Sequence, residues 1–510
     1  MKASYLLAVL PLLAACNQPV PSGAELFPSV GMKNVNPDTH LVLNFTETPV
    51  VGDSGMVRIF DAVTGDLVDS LDLSIPAGPT ESRTYGPECD YTKVPYDYTR
   101  GKMPTNKDTR PGTPSGTAEP TPPDYQLNII GGFTDAFHFH PIIVKGNTAT
   151  IYPHNNLLEY GHSYYVTIDK GVLTLPDGSF KGIGKEHGWK FTTKTSQPSA
   201  IDTLVVDASG KGDFNTVQGA LDFIPDFSER PITILVQAGD YEELVYARNK
   251  SNVTIKGAGM DKTKVHYANN EVFNPHPLTV KTNEWPGTFP SRRAAFMLDN
   301  CTDIVLEDIC IATDLTGQAE GLLLNGERIA LYRVHIIGSG DALQANGSIY
   351  MESCELDGGG DTILGRGSLF AYRSNFRNGG GPFSWVRNRG DDHGDVFVEC
   401  TFSTQDGSMA DYGRCHLNHG TNYPDAEFVL INCSTRNIIP EGWSEIGEKT
   451  MRMYEFHTRN METGELVDVS KRHPYSRQLD SRKDAALIDN YQNPAFVLKG
   501  WIPFSYINKE

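Results

Sequence analysis

What this chain has little of narrows it first. Only 8 of its 510 residues are cysteine, and none forms a CxxC pair or a Cys/His cluster with zinc spacing, so no structural metal is expected. Basic residues are in deficit: 44 Lys and Arg stand against 63 Asp and Glu, a formal net charge of −19. A nucleic-acid binder needs a basic face for phosphate, and this balance argues against one. Beyond the first 16 residues no stretch is long and apolar enough for a transmembrane helix. After Cys16, seven cysteines remain (89, 301, 310, 354, 400, 415 and 433), an odd number that cannot all pair within the chain.

The start of the chain has Lys2, an apolar run from Tyr5 to Leu13, and then Leu13-Ala14-Ala15-Cys16. A charged start, a short apolar core and small residues before a cysteine resemble a bacterial lipoprotein signal. The resemblance implies that Cys16 becomes a lipid-bearing N-terminus and anchors the protein to a membrane. Asn17, which is not aspartate, favours the outer membrane or cell surface. Single cores seldom grow past ~250–300 residues, so the rest of the chain is expected to form at least two domains.

Two textures follow. Residues 24–195 alternate apolar and polar in runs such as Leu41-Val42-Leu43-Asn44-Phe45 and Tyr164-Tyr165-Val166-Thr167-Ile168, separated by turns like Thr64-Gly65-Asp66 and Pro176-Asp177-Gly178. The stretches FPSVGMKNVNPDTHLVLNFTETP, GMVRIFDAVTGDLVD and WKFTTK resemble a bacterial Ig-like domain, which implies a β-sandwich acting as a spacer. Residues 100–124, rich in Pro, Thr and Gly, are expected to be a loop without a core of its own. Thr195-Ser196-Gln197-Pro198-Ser199 reads as a linker.

From 201 to 505 short β-rich runs recur. Val334, Cys354 and Ser374 are 20 residues apart, and Cys400 and Cys433 follow by 26 and 33. Runs this short cannot bury themselves and must stack, which predicts an all-β fold built on a right-handed parallel β-helix. Cys354, Cys400 and Cys433 then fall at one equivalent position, as small interior residues.

Within this array Gly340-Asp341-Ala342-Leu343 returns 20 residues later as Gly360-Asp361-Thr362-Ile363. Stacked coils place such residues above one another at the strand spacing of about 4.8 Å. Two carboxylates so close repel, and at least one is pushed towards its protonated form, giving an acid beside a base. An aspartate ladder that only caps turns, helped by Gly358-Gly359-Gly360, fits the same spacing.

The surroundings add a resemblance. LVVDASGKGDFNTVQGALDFIP from Leu204, then AGDYEELVYARNKSNVTIKGAG, is similar to the opening of the pectin methylesterase family. Gln318-Ala319-Glu320-Gly321-Leu322 resembles its QAxAL motif, Gly340-Asp341-Ala342-Leu343 stands at its QDT position and Gly360-Asp361-Thr362-Ile363-Leu364-Gly365 at its DFIFG position. Gly413-Arg414-Cys415-His416 stands at its GRPW position, followed by AEFVLINCSTRNIIPEGW. The resemblance implies a carboxylic ester hydrolase acting on methyl-esterified galacturonan (pectin) and releasing methanol, without metal or organic cofactor. Asp361 is implied as nucleophile and Asp341 as acid and then base. Arg414 is the cation that keeps Asp361 ionised, and Gln318 a donor to the oxyanion. Two positions depart from the pattern. Gly340 replaces a glutamine donor, for which Gln344 or a backbone N–H is a candidate substitute. His416 replaces a tryptophan that stacks on sugar.

Around this set, Arg366, Arg373, Arg377, Arg387 and Arg389 occur with no intervening acid. They either grip uronate carboxylates, Arg387 foremost, or form a solvated strand face. Trp385 is either a sugar platform or a buried solenoid residue. Asp391-Asp392-His393-Gly394 invites a polygalacturonase reading, but its contiguous carboxyls suit a turn better than the ~6.5–9.5 Å gap of inverting hydrolysis. A related esterase or thioesterase on another substrate, or an inactive polysaccharide-binding surface protein, remain as alternatives. A monomer is expected.

Overall fold

The computed structural model describes residues 23–80, 125–133, 136–275, 291–415 and 422–503. Cys16 with its signal, Cys89, the 100–124 stretch and His416 lie outside the described residues.

The N-terminal part is built on two main sheets. One orders Glu25–Phe27, Leu41–Asn44, Thr148–Ile151 and Ile142–Lys145 as antiparallel neighbours. The other runs Met32–Val35, Lys190–Thr193, Ser163–Ile168, Met56–Asp61, Leu67–Asp72. The alternation read in the sequence has its cause here: Leu41 and Leu43 are fully buried while Asn44 is exposed, and the inward residues of both sheets, with Trp189 and Phe191, form one core.

From Thr203 the chain winds into a parallel solenoid of 22 strands. Three walls repeat on each coil. The first stacks Ile232–Val236 and Ser251–Lys256, continues through the middle of Phe296–Thr313 and of Leu322–Ile337 and the end of Leu343–Glu352, and then through Ser368–Tyr372, Asp395–Val398 and Glu427–Ile431. The second stacks Gly239–Glu242 and Thr263–Tyr267 on the ends of Phe296–Thr313 and Leu322–Ile337, then Glu355–Gly358, Asn375–Asn378 and Thr401–Thr404. The third, which positions the site, stacks Val245–Arg248 on Phe296, Leu322, Leu343, Ile363, Ser384 and Gly413 in register. Apolar side chains from all three walls fill the interior. Cys354, Cys400 and Cys433 stack inside it at 0–1% exposure, and the six cysteines among the described residues are all free thiols. Ser374 takes the same column, donating through its backbone N–H to Cys400 Sγ at 3.5 Å.

The two parts are joined by more than the linker. Helix Val217–Phe223 closes the lower end of the solenoid with Val217, Ala220 and Leu221 in the core. Its first N–H groups have no intrahelical partner. Asp38 of the sandwich accepts from the N–H groups of Asn215 and Thr216 at 2.8 Å each, and Glu243 accepts from Val217 and Gln218 at 2.8 and 2.9 Å. Beside them Phe133 and Phe137 pack on Tyr246, in a cluster with Tyr267 and Phe273. Lys145 pairs with Glu242 at 3.0 Å. The expected spacer is therefore docked on the solenoid, because a helix end and an apolar wall need covering.

Burial pushes the Glu243 carboxyl up to about 8 and that of Asp38 to about 6, against the hydrogen bonds they accept. A folded pKa above the unfolded value means that the folded state holds the extra proton, so stability falls as pH rises through the gap. For Glu243 that gap runs from its ordinary 4.5 to about 8. Thermal unfolding across this range is expected to show a downward slope in the wild type between pH 6 and 8 that flattens in Glu243→Gln; equal slopes would refute the assignment to Glu243.

Candidate active site

The turn between the second and third walls recurs on successive coils with glycines where main chains come close. It carries Gln318, then Asp341, then Asp361. Leu343 pairs with Ile363, and the Ala342 N–H donates to Thr362 O at 2.9 Å, so Asp341 and Asp361 lie on adjacent rungs, as the 20-residue repeat predicted. The register extends the column. Gly321 N–H donates to Ala342 O at 3.0 Å, which sets Glu320 one rung below Asp341. Asp361 is followed upward by Pro382 and then Asp411. Four carboxyls thus share one column of the wall.

Two arginines reach into that column from opposite ends. Arg414, two rungs above, donates Nε to Asp361 Oδ1 at 2.8 Å and Nη2 to Oδ2, a two-pronged fork. Its guanidinium lies 4.6 Å from the Trp385 ring centroid, and that of Arg387 lies 4.5 Å from the same ring. Trp385, in register with Leu364 and Arg414, is half-buried. Its ring shelves both cations beside the nucleophile candidate. Asp361 has φ +50°, a left-handed conformation that aspartate tolerates better than most side chains.

Arg293, from below, was not singled out in the sequence. Its Nε bonds both oxygens of Glu320 at 2.8 and 2.9 Å, Nη1 bonds Glu271 at 2.9 Å and Gln318 Oε1 at 2.8 Å, and Nη2 bonds Asp341 Oδ2 at 2.9 Å. No local motif announces it, because the contact spans two rungs. The one available signal was an acid in the variable position of the QAxAL-like stretch: Glu320 has no exposure, and a buried carboxylate needs a cation.

The Asp341 carboxyl is pushed up to about 7, first by burial, with Glu320 and Asp361 adding to it and Arg293 and Arg387 opposing. Asp411, also missed in the sequence, is pushed up to about 6 by burial and by Asp361. One member of the column is thus gripped by an arginine fork, and its neighbour keeps a proton near neutrality.

The remaining candidates divide. Gln318 is exposed at the mouth. Gln344 is buried on the third wall between Leu323 and Leu364, an enclosed place for a residue considered as an oxyanion donor. The arginine run does not act as one patch. Arg373 is spent on Glu399, and Arg377 on Asp357 and Glu355 on the second wall, while Arg387 lies with Trp385. Asp391 and Asp392 form a turn, Asp392 pairing with Lys499 and His393 bonding Glu427 at 2.8 Å; those residues are structural.

A pectinesterase family model matches residues 203–378. Pectinesterase QRT1 of Arabidopsis thaliana is 30% identical over 282 residues, covering 52% of this chain and 70% of that protein. Probable pectinesterase 8 of the same plant is 26% identical over 333 residues, covering 61% and 80%. Among solved structures, the pectin methylesterase from carrot aligns at TM-score 0.49 with 18% identity, over 61% of this chain and 99% of that one. PemA from Erwinia chrysanthemi aligns at 0.46 with 17% identity, over 60% and 99%. The chain belongs to the pectinesterase family and is a carboxylic ester hydrolase of that kind.

Two variants probe the wall. A Cβ at Gly340 would lie 2.8 Å from the Gly317 carbonyl oxygen, so Gly340→Gln is expected to lower stability by about 1–3 kcal/mol through overpacking, measured by denaturant unfolding, with no gain in activity. Trp385→Ala is expected to lower kcat about tenfold by loosening Arg414, the size of one cation–π contact, while leaving the unfolding midpoint near that of wild type.

Proposed function

We propose that this chain removes methyl esters from the C6 carboxyls of galacturonate in pectin through an aspartyl acyl-enzyme. The observation that carries the reading is the pairing of Asp341, protonated up to about pH 7, with Asp361 on the next rung, forked by Arg414.

Asp361 Oδ attacks the ester carbonyl, and the C=O electrons move onto oxygen, where the Gln318 amide N–H donates to the oxyanion. As the tetrahedral adduct collapses, the C–O bond to the methoxyl breaks and Asp341 passes its proton to that oxygen, so methanol leaves. An anhydride now joins Asp361 to the uronate. Asp341, as carboxylate, takes a proton from water, whose oxygen attacks the uronoyl carbon. Collapse releases the free galacturonate and returns Asp361 as carboxylate beside Arg414. No metal or cofactor takes part in these steps. Trp385 and Arg387 supply a ring face and a cation next to the reacting carbon, suited to a sugar and a neighbouring carboxylate, and His416 is proposed to touch the polymer from the adjoining segment. The sandwich is proposed to be Ig-like and to stand between the solenoid and a lipid anchor at Cys16, which would put a monomeric enzyme at the bacterial outer membrane or cell surface.

Methanol release from highly esterified pectin tests this. Wild type is expected to release it, and Asp361→Asn and Asp341→Ala to be slower by at least about 10³-fold, as for a nucleophile or its acid partner. Because acylation needs the Asp341 proton, single-turnover acylation is expected to fall as pH rises through about 7. Hydrolysis of other esters with none of pectin would favour a related esterase; pectin binding without hydrolysis of any ester would favour a binding protein.

A further inference from the structure

The carboxyl column poses a problem of charge. Asp341 must keep a proton, yet a guanidinium nitrogen lies 2.9 Å from its Oδ2, and a lone cation there would favour the ionised form. The glutamine that the family places at the preceding position is also absent, and Gly340 has no room for it: the Gly317 carbonyl oxygen would be 2.8 Å from its Cβ. The space and the donor that such a side chain would contribute must be supplied from elsewhere.

Arg293 is the group that reaches there. Its contacts are not equivalent. Nε and Nη2 face Glu320, which is fully buried, so much of the guanidinium charge is spent on a carboxylate that takes no part in the reaction. Nη1 holds the Gln318 Oε1 at 2.8 Å. With its oxygen taken, the Gln318 amide can only turn its NH2 outward, towards the carbonyl being attacked.

We propose that Arg293, clamped by Glu320, is a positioning residue that orients the Gln318 donor and sets the proton affinity of Asp341, in compensation for glycine at 340. This rests on the esterase reading above. Arg293 and Glu320 act on Asp341 with opposite signs, so their removal must act oppositely too. Asp341 is faced by Arg293 and Glu320 from the coils below, by Asp361 from the coil above and by Arg387 from the third wall; Glu271 shares Arg293 from outside. Taking away the Arg293 charge leaves Glu320 and Asp361 against Arg387 and raises the proton affinity of Asp341. Taking away the Glu320 charge frees the guanidinium and lowers it. An ion pair that served folding alone would lose stability in both variants and move the titration in neither.

The experiment compares wild type, Arg293→Gln, Glu320→Gln and Arg293→Lys in two readouts. The first is methanol release against pH. Arg293→Gln is expected to lower kcat by about 10², the worth of one oxyanion donor, with little change in KM and with its alkaline limb moved up in pH. Glu320→Gln moves the limb down. Arg293→Lys keeps the charge, and so the limb, but loses the fork and fails to restore kcat. The second readout is carboxyl 13C NMR titration of the unliganded proteins, with Asp341 assigned by difference against Asp341→Asn. It needs no substrate, so it reports the opposite shifts even if pectin is not hydrolysed. Should Arg293→Gln fail to fold, the downward shift in Glu320→Gln decides alone. Shifts in the same direction, no shift in Glu320→Gln, or a kcat for Arg293→Gln within about threefold of wild type would overturn the proposal.

Discussion

In-register stacking of parallel coils governs this molecule. Once each coil repeats the path of the one below, any residue type that recurs at the same point becomes a column with a rung spacing of about 4.8 Å. Apolar residues recurring this way make the core. Carboxyls recurring this way cannot all be charged, and the energy of that conflict is what the site uses. Glu320, Asp341, Asp361 and Asp411 share one column, and Arg293 and Arg414 bond into it. Arg293 is bound by Glu320 at the lower end and Arg414 by Asp361, so a proton is left to Asp341 between them. Burial then sets its affinity near neutrality.

The legibility of the sequence followed the range of the contact. The solenoid was readable because Val334, Cys354 and Ser374 sit one period apart, and a fixed period maps straight onto a stack. The pair Asp341 and Asp361 was readable for the same reason. Arg414 was named through a motif resemblance, since its route across Trp385 to a residue 53 positions earlier leaves no local trace. Arg293 and Asp411 were missed: each acts on the column from a different coil, and coil lengths vary too much for spacing to align them. The arginine run from 366 to 389 misled in the other direction. Neighbours in sequence, Arg377 and Arg387 are carried to different walls by the corner between them, so a patch in one dimension is dispersed in three.

The sandwich was legible as alternating strands, yet its relation to the solenoid was not. A linker of small polar residues suggested independence. What couples the parts is a requirement of the solenoid itself, whose closing helix presents unpaired amides, and whose flank exposes aromatic side chains including Tyr246. Asp38 answers the first and Phe133 with Phe137 the second. Neither could be anticipated without knowing which end of the coil the sandwich meets.

That docking bears on how the enzyme can be handled and how such chains evolve. The solenoid is not a portable cassette: severed at residue 200, it would start with a bare helix end and a greasy flank lined by Tyr246, Tyr267 and Phe273. Surfaces of that kind invite association with other copies. Loss or exchange of the leading module would therefore have to be accompanied by repainting of that flank, so the two halves are bound to change together.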